Sequence, residues 1–149
     1  EEEFIKKRID YVSQYTKDKM MAYRILKSVK TYSDIFKVDP DLVLSIIKNE
    51  SGFDSSAISD KGAIGLMQIL PETGELMSRL LNKFGYNLQS IDDNIEFGVA
   101  FLSILLEYNS MEVAIKKYYA GRAWLIPDAH NYYTNVLAEY VNLKNNTIE

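Results

Sequence analysis

Apolar side chains return at intervals of three and four along most of this chain, and nowhere do they set up a convincing alternation. That period constrains the fold more than any other feature, because it gathers apolar groups on one helix face and offers nothing to a half-buried strand. In residues 4–12, Phe4, Ile5, Ile9 and Val12 mark a short amphipathic helix. Between residues 18 and 36, Met21, Ile25, Val29, Tyr32 and Phe36 mark a second, whose stripe should pack inward. With only 7 Gly and 3 Pro, the chain lacks the turns of a many-stranded sandwich. The expected class is all-α, and 149 residues, 47% of them apolar, suit one compact domain.

The third expected helix carries the most informative signals. Asp39 can cap free N–H groups, and Pro40 has the right φ for a first turn. Leu42, Val43, Ile46 and Ile47 are apolar nearly all round residues 42–50, so this helix is buried, and Gly52 is placed to end it. Glu50 is thereby carried to the edge of the core. Residues 54–61 have no period and read as an ordered loop, with Gly62 and Gly65 beyond it permitting close backbone approach.

Pro71 opens a further helix, with Leu76, Met77, Leu80 and Leu81 as its apolar side and Gly85 as its stop. A polar connection through Asn87, Asp92 and Asp93 leads to residues 95–108, the most apolar helix and the one expected to be most buried. Residues 111–120 form another, ended by Gly121. After a loop at 122–127, residues 128–143 present Tyr132, Val136 and Tyr140 at fours.

Composition narrows the function. A formal charge of −4 with both signs interspersed lacks the basic footprint of a nucleic-acid binder. The absence of cysteine excludes disulfides, thiol catalysis and Cys-ligated zinc, and His130 is the sole histidine, which excludes a multi-histidine metal site. No apolar run approaches the roughly 20 residues of a membrane span. The Glu-Glu-Glu start has the wrong sign for a signal peptide, so any targeting segment or anchor is expected outside these residues.

Glu50, at the end of a buried helix and beside Phe53, is in a setting that raises a carboxyl pKa, and a neutral Glu can act as a general acid. Glycoside hydrolysis ordinarily takes two carboxylates. Asp54 and Asp60 are near in sequence, but neither position is aimed at Glu50. A mechanism whose nucleophile is the substrate's own acetamido group needs no second one. The plain alternatives are a solvated Glu50, a capping Gln68, a core Met67, and tyrosines at 118, 119, 132 and 133 that only pack.

Four short motifs then follow in one order: Glu50-Ser51-Gly52-Phe53, Ala57-Ile58-Ser59, Gly62-Ala63-Ile64-Gly65-Leu66-Met67-Gln68-Ile69 and Pro71-Glu72-Thr73. Together with Tyr118-Tyr119-Ala120-Gly121 and Pro127-Asp128-Ala129-His130-Asn131-Tyr132, this series resembles the catalytic domain of the soluble lytic transglycosylases, relatives of goose-type lysozyme. The resemblance covers residues 38–141. It implies a single lysozyme-like helical domain with a catalytic cleft at residues 38–149, on which two N-terminal helices at residues 1–37 pack.

It also implies cleavage of the β-1,4 bond between N-acetylmuramic acid and N-acetylglucosamine in peptidoglycan, with Glu50 as the only catalytic carboxylate, 1,6-anhydro products, and neither metal nor cofactor. Ser59 and Gln68 would hydrogen-bond the sugar or its acetamido group, and Met67 and Thr73 would line the cleft. Tyr118, Tyr119 and Tyr132 would complete it, with Tyr132 near the acid. Tyr119 departs from the pattern by standing where Asn is usual; Asp128, Ala129 and His130 replace Glu, Thr and Arg. The implied partners are glycan strands and possible proteins of the cell envelope, on its periplasmic or extracellular side. A lysozyme-like hydrolase and a non-catalytic wall- or partner-binding domain are the alternatives.

Overall fold

Local capping chemistry sets the helix boundaries. In the computed structural model, which describes residues 1–146, the helices are α1 (Glu2–Ser13), α2 (Lys19–Phe36), α3 (Pro40–Ser51), α4 (Pro71–Leu80), α5 (Ile91–Tyr108), α6 (Met111–Ala120) and α7 (Pro127–Asn145). A 3₁₀ turn, Gly121–Ala123, joins the last two. Residues 147–149, the end of the expected 38–149 domain, lie outside the described residues. Asp18, Ser90 and Ser110 each accept a hydrogen bond from the backbone N–H three residues on, and Asp39 caps α3 through the N–H of Asp41. Proline opens α3, α4 and α7. No strand forms among the described residues, and the all-α class read from the period holds.

Two boundaries differ from expectation. α5 begins at Ile91 rather than Ile95, because Ser90 caps it and Asp92 and Asp93 enter its first turn, where the helix dipole favours acids. α4 ends at Leu80, and Asn82, with φ 52°, leaves the helical region before Gly85 is reached. Part of the expected apolar side of α4 holds, since Met77 is buried and Leu81 packs against the core, but Leu76 and Leu80 are 42% and 59% exposed and Gly74 and Ser78 turn inward instead. Close approach is the reason. A Cβ on Gly74 would lie 2.9 Å from Leu88 Cδ1, so the small Gly74 and Ser78 meet the core beside Met77.

α5 is the central helix, with α2, α4 and α6 packed on it, and α3 packs on both α2 and α7. Ile25 and Leu26 of α2, Ile46 and Ile47 of α3, and Ile95, Phe97 and Leu102 of α5 are fully buried in one cluster. α1 joins it through Ile5 and Val12. A buried ion pair adds direction: Arg8 Nε and Nη2 donate to the Asp41 carboxylate at 2.8 and 3.0 Å, and Nη2 also donates to Leu143 O at 2.9 Å. Lys144 reaches Asp39 and Asp41 from α7, so the start of α3 is tied to α1 and to the end of α7.

The loop between α3 and α4 is held by one side chain of α5. Asn94, almost fully buried, donates to Ile64 O and Leu88 O and accepts from Met67 N–H, each at 2.8 Å. Isolated bridges pair Ile58 with Ile64 and Ile64 with Ile69, folding the loop onto itself without a strand. Gly65 has φ +78°, and a Cβ there would sit 2.4 Å from Asn94 Nδ2, so the amide enters only because this residue is glycine.

Asn94→Ala leaves Met67 N–H and Leu88 O without their partner and Ile64 O with the N–H of Ile69 alone. We expect a loss of about 2–4 kcal/mol in stability, together with faster amide exchange confined first to residues 57–69. Denaturant titration and hydrogen exchange check it; a stability unchanged within about 0.5 kcal/mol would remove Asn94 as the anchor.

Candidate functional site

The last turn of α3 carries Glu50 into a cleft. The helix ends at Ser51, one residue beyond the acid, and Gly52 then adopts φ 60° with its N–H returning to Lys48 O. Ser51 Oγ lies 2.7 Å from Leu66 O, which ties the helix end to the loop. Phe53 turns into an aromatic cluster, stacked on Tyr15 at 5.6 Å and edge-on to Tyr11 at 6.0 Å. The group that touches the Glu50 carboxyl is Tyr132 of α7, whose hydroxyl donates to Oε2 at 3.2 Å.

Burial raises the Glu50 pKa from 4.5 to about 8, and the Tyr132 hydrogen bond pulls it only part of the way back. A separation of 3.2 Å is long for a hydroxyl on an ionised carboxylate, which fits an acid that keeps its proton. Among the described residues, no second carboxylate and no cation contributes to that shift. The chemistry available at neutral pH is therefore proton donation, followed by proton recovery at the same group.

The cleft measures about 480 Å³. The loop contributes Ser59, Asp60, Lys61 and Gln68 to its lining, α4 contributes Thr73, and α6 contributes Tyr118 and Tyr119. Ser59 Oγ accepts the N–H of Ala63 at 3.0 Å, which leaves its own proton to donate. Gln68 has φ 52°, a left-handed conformation costly for a residue with a side chain. Its Nε2 donates to Ala57 O and Gly65 O, while Oε1 has no donor among the described residues. Gln68 thus braces the loop with one end and offers an acceptor with the other.

Met67 is a correction. Expected to line the cleft, it is fully buried, and a Cβ on Gly98 would sit 2.4 Å from its sulfur. Its backbone explains the direction: the N–H is held by Asn94, and the carbonyl accepts the Tyr118 hydroxyl at 2.8 Å, which drives the side chain against α5. Tyr118, whose hydroxyl is used in this way, presents only its ring to the cleft and leans on Phe101 at 5.5 Å. Tyr119 is 46% exposed, lines the cleft and stacks on Tyr132. Asp54 is turned to its own loop, where the Ser56 hydroxyl and N–H hold its pKa low, and His130 is exposed beside Tyr133.

Phe101, Ile126 and Asp128 also line the cleft and were not among the expected site residues. Phe101 lies in the apolar run from Phe97 to Leu102, where no pattern separates a cleft residue from a core one. Asn94 has no such signal either: it follows Asp92 and Asp93 at the end of a polar connection, where nothing local marks a buried amide.

With this geometry in place, three comparisons bear on it. The family model described as Transglycosylase SLT domain matches residues 27–137. A membrane-bound lytic murein transglycosylase C from Serratia proteamaculans is 34% identical over 89 residues, covering 56% of this chain and 25% of that protein. The chain thus spans about a quarter of the length of the curated relatives it matches. An inactive glutamate-to-glutamine mutant of lytic transglycosylase Slt from Pseudomonas aeruginosa superposes with a TM-score of 0.71 at 26% identity, over 80% of this chain and 24% of that one. The 70 kDa soluble lytic transglycosylase of Escherichia coli shares the fold, with a TM-score of 0.76 at 19% identity over 98% of this chain and 30% of its own.

A raised carboxyl pKa has a definite sign in stability. Between 4.5 and about 8 the folded chain holds a proton on Glu50 that the unfolded chain has lost, so this contribution is complete below the lower value and is lost as pH rises through the upper one. Glu50→Gln carries no charge at any pH. The variant should match the wild type at about pH 4 and exceed it by about 2–4 kcal/mol at about pH 9. Thermal melts across that range decide it, and parallel curves would contradict a raised Glu50.

Proposed function

The chain belongs to the Transglycosylase SLT domain family, and from that premise we propose that it cleaves the β-1,4 bond between N-acetylmuramic acid and N-acetylglucosamine in peptidoglycan as a lytic transglycosylase. One observation carries the reading: Glu50 is a largely desolvated carboxyl at the cleft whose pKa burial raises to about 8, and among the described residues the Tyr132 hydroxyl is its hydrogen-bond partner and no second carboxylate contributes to the shift. The relatives named as lytic transglycosylases support the same class, and one of the similar structures is inactive after replacement of a glutamate by glutamine.

In this mechanism Glu50 protonates the glycosidic oxygen as the bond to the anomeric carbon breaks. The muramic acetamido oxygen bonds to that carbon from the other side, which is why no carboxylate nucleophile is required. Glu50, now charged in a poorly hydrated place, is stabilised by the Tyr132 hydroxyl. It recovers a proton from the 6-hydroxyl, whose oxygen displaces the acetamido group and closes the 1,6-anhydro ring. The reaction consumes no water. The high pKa serves both halves, because it leaves the acid loaded at neutral pH and makes the carboxylate a competent base.

Gln68 Oε1 and the Ser59 hydroxyl are suited to the acetamido N–H and carbonyl, and Thr73 and the Tyr118 ring to the sugar faces. We take residues 1–37 as a helical support packed on a catalytic unit at 38–149. The substrate, together with relatives described as membrane-bound or soluble lytic transglycosylases, supports work in the cell envelope, on its periplasmic or extracellular side, where other envelope proteins are possible partners.

Digestion of purified peptidoglycan, followed by mass spectrometry, tests this. The wild type should release 1,6-anhydro muropeptides, and Glu50→Gln should lose about 10²–10⁴-fold in rate while still binding glycan strands. Reducing-end products would instead identify a hydrolase, and full activity in the variant would dismiss Glu50 as the acid.

A further inference from the structure

The contact that most needs explaining lies one step behind the acid. Tyr119 and Tyr132 stack with ring centroids 4.6 Å apart and planes 20° from parallel. Tyr132 is buried and touches Glu50, whereas Tyr119 is nearly half exposed at the cleft wall. A tyrosine hydroxyl sits at the far end of a long lever, so a small swing about the Cα–Cβ bond carries it out of hydrogen-bond range. The stack joins the last turn of α6 to α7 at the residue whose hydroxyl reaches α3. A flat face close to parallel with the Tyr132 ring blocks that swing on its side.

We propose that Tyr119 is a positioning residue: its ring pins Tyr132 so that the Tyr132 hydroxyl stays on Glu50 Oε2. The proposal rests on the functional reading of Glu50, but the clamp is a property of the fold. The asparagine usual at this place in the pattern that the sequence resembles offers no comparable face. Tyr118, the neighbouring phenol, cannot substitute, because its hydroxyl is committed to Met67 O and its ring leans on Phe101. The Tyr119 hydroxyl has no role in the clamp, so phenylalanine should serve equally well.

The test uses Tyr119→Phe, Tyr119→Ala, Tyr132→Phe and the Tyr119→Ala/Tyr132→Phe double variant, assayed on isolated glycan strands and by NMR. Tyr119→Ala should lower kcat about three- to ten-fold, the range an aromatic pair supports, with KM within about two-fold. Tyr119→Phe should restore the wild-type value. The double variant should be no slower than Tyr132→Phe alone, because Tyr119 acts through Tyr132. Additive losses, a rise in KM at constant kcat, or a Phe variant as impaired as Ala would each overturn the proposal in favour of a direct substrate contact.

NMR of the Tyr132 ring gives a readout that needs no turnover. Ring flipping should accelerate about ten-fold or less in Tyr119→Ala, again the range of the pair, and stay at the wild-type rate in Tyr119→Phe. Equal rates in the Ala variant and the wild type would overturn the clamp. A wild type that forms no anhydro product would sink the functional reading alone, and the NMR comparison would then decide the positioning role by itself.

Discussion

A single buried amide holds the site together. Asn94 projects from the central helix into the loop between α3 and α4, and its two donors and one acceptor are all engaged by backbone groups at 2.8 Å. In a poorly hydrated setting such bonds are strong in place and costly to leave unmade. Their effect spreads by sequence adjacency. Leu66 O is held by Ser51 at the end of α3, Met67 N–H by Asn94 of α5, and Met67 O by Tyr118 of α6. Two consecutive residues are therefore stitched to three helices, and the left-handed Gln68 that follows is turned toward the cleft without freedom to relax.

α3 carries a charge contrast along its length. At its start, Asp41 is buried against Arg8 and Lys144, and Asp39 lies against Lys144 and Tyr140. At its end, the partly buried Glu50 has among the described residues the Tyr132 hydroxyl as its partner. The first arrangement compensates carboxylates with cations and ties three elements together; the second withholds a cation and so leaves the proton in place.

The tyrosines divide the remaining work. Tyr118 fixes the loop, Tyr132 touches the acid, and Tyr119 covers Tyr132 from the cleft side. Three phenols of identical chemistry thus differ by burial and partner alone, which explains why composition could mark them as candidates without ranking them.

Much of the fold was legible in the chain because it depends on local chemistry. Caps at Asp39 and Gly52, prolines at helix starts and the period of three and four act within a few residues, and each is visible in order along the sequence. The placing of Glu50 at the end of a buried helix belongs to the same class. What only tertiary structure decided concerns side-chain direction in the irregular loop and on the face of α4. Met67 went inward because its backbone is held by residues 27 and 51 positions away, Leu76 and Leu80 went outward because Gly74 allowed closer packing, and Tyr119 found Tyr132 across a turn. Contacts between distant parts of the chain select among directions that are equivalent to the local backbone, so no reading of neighbours in sequence could have chosen between them.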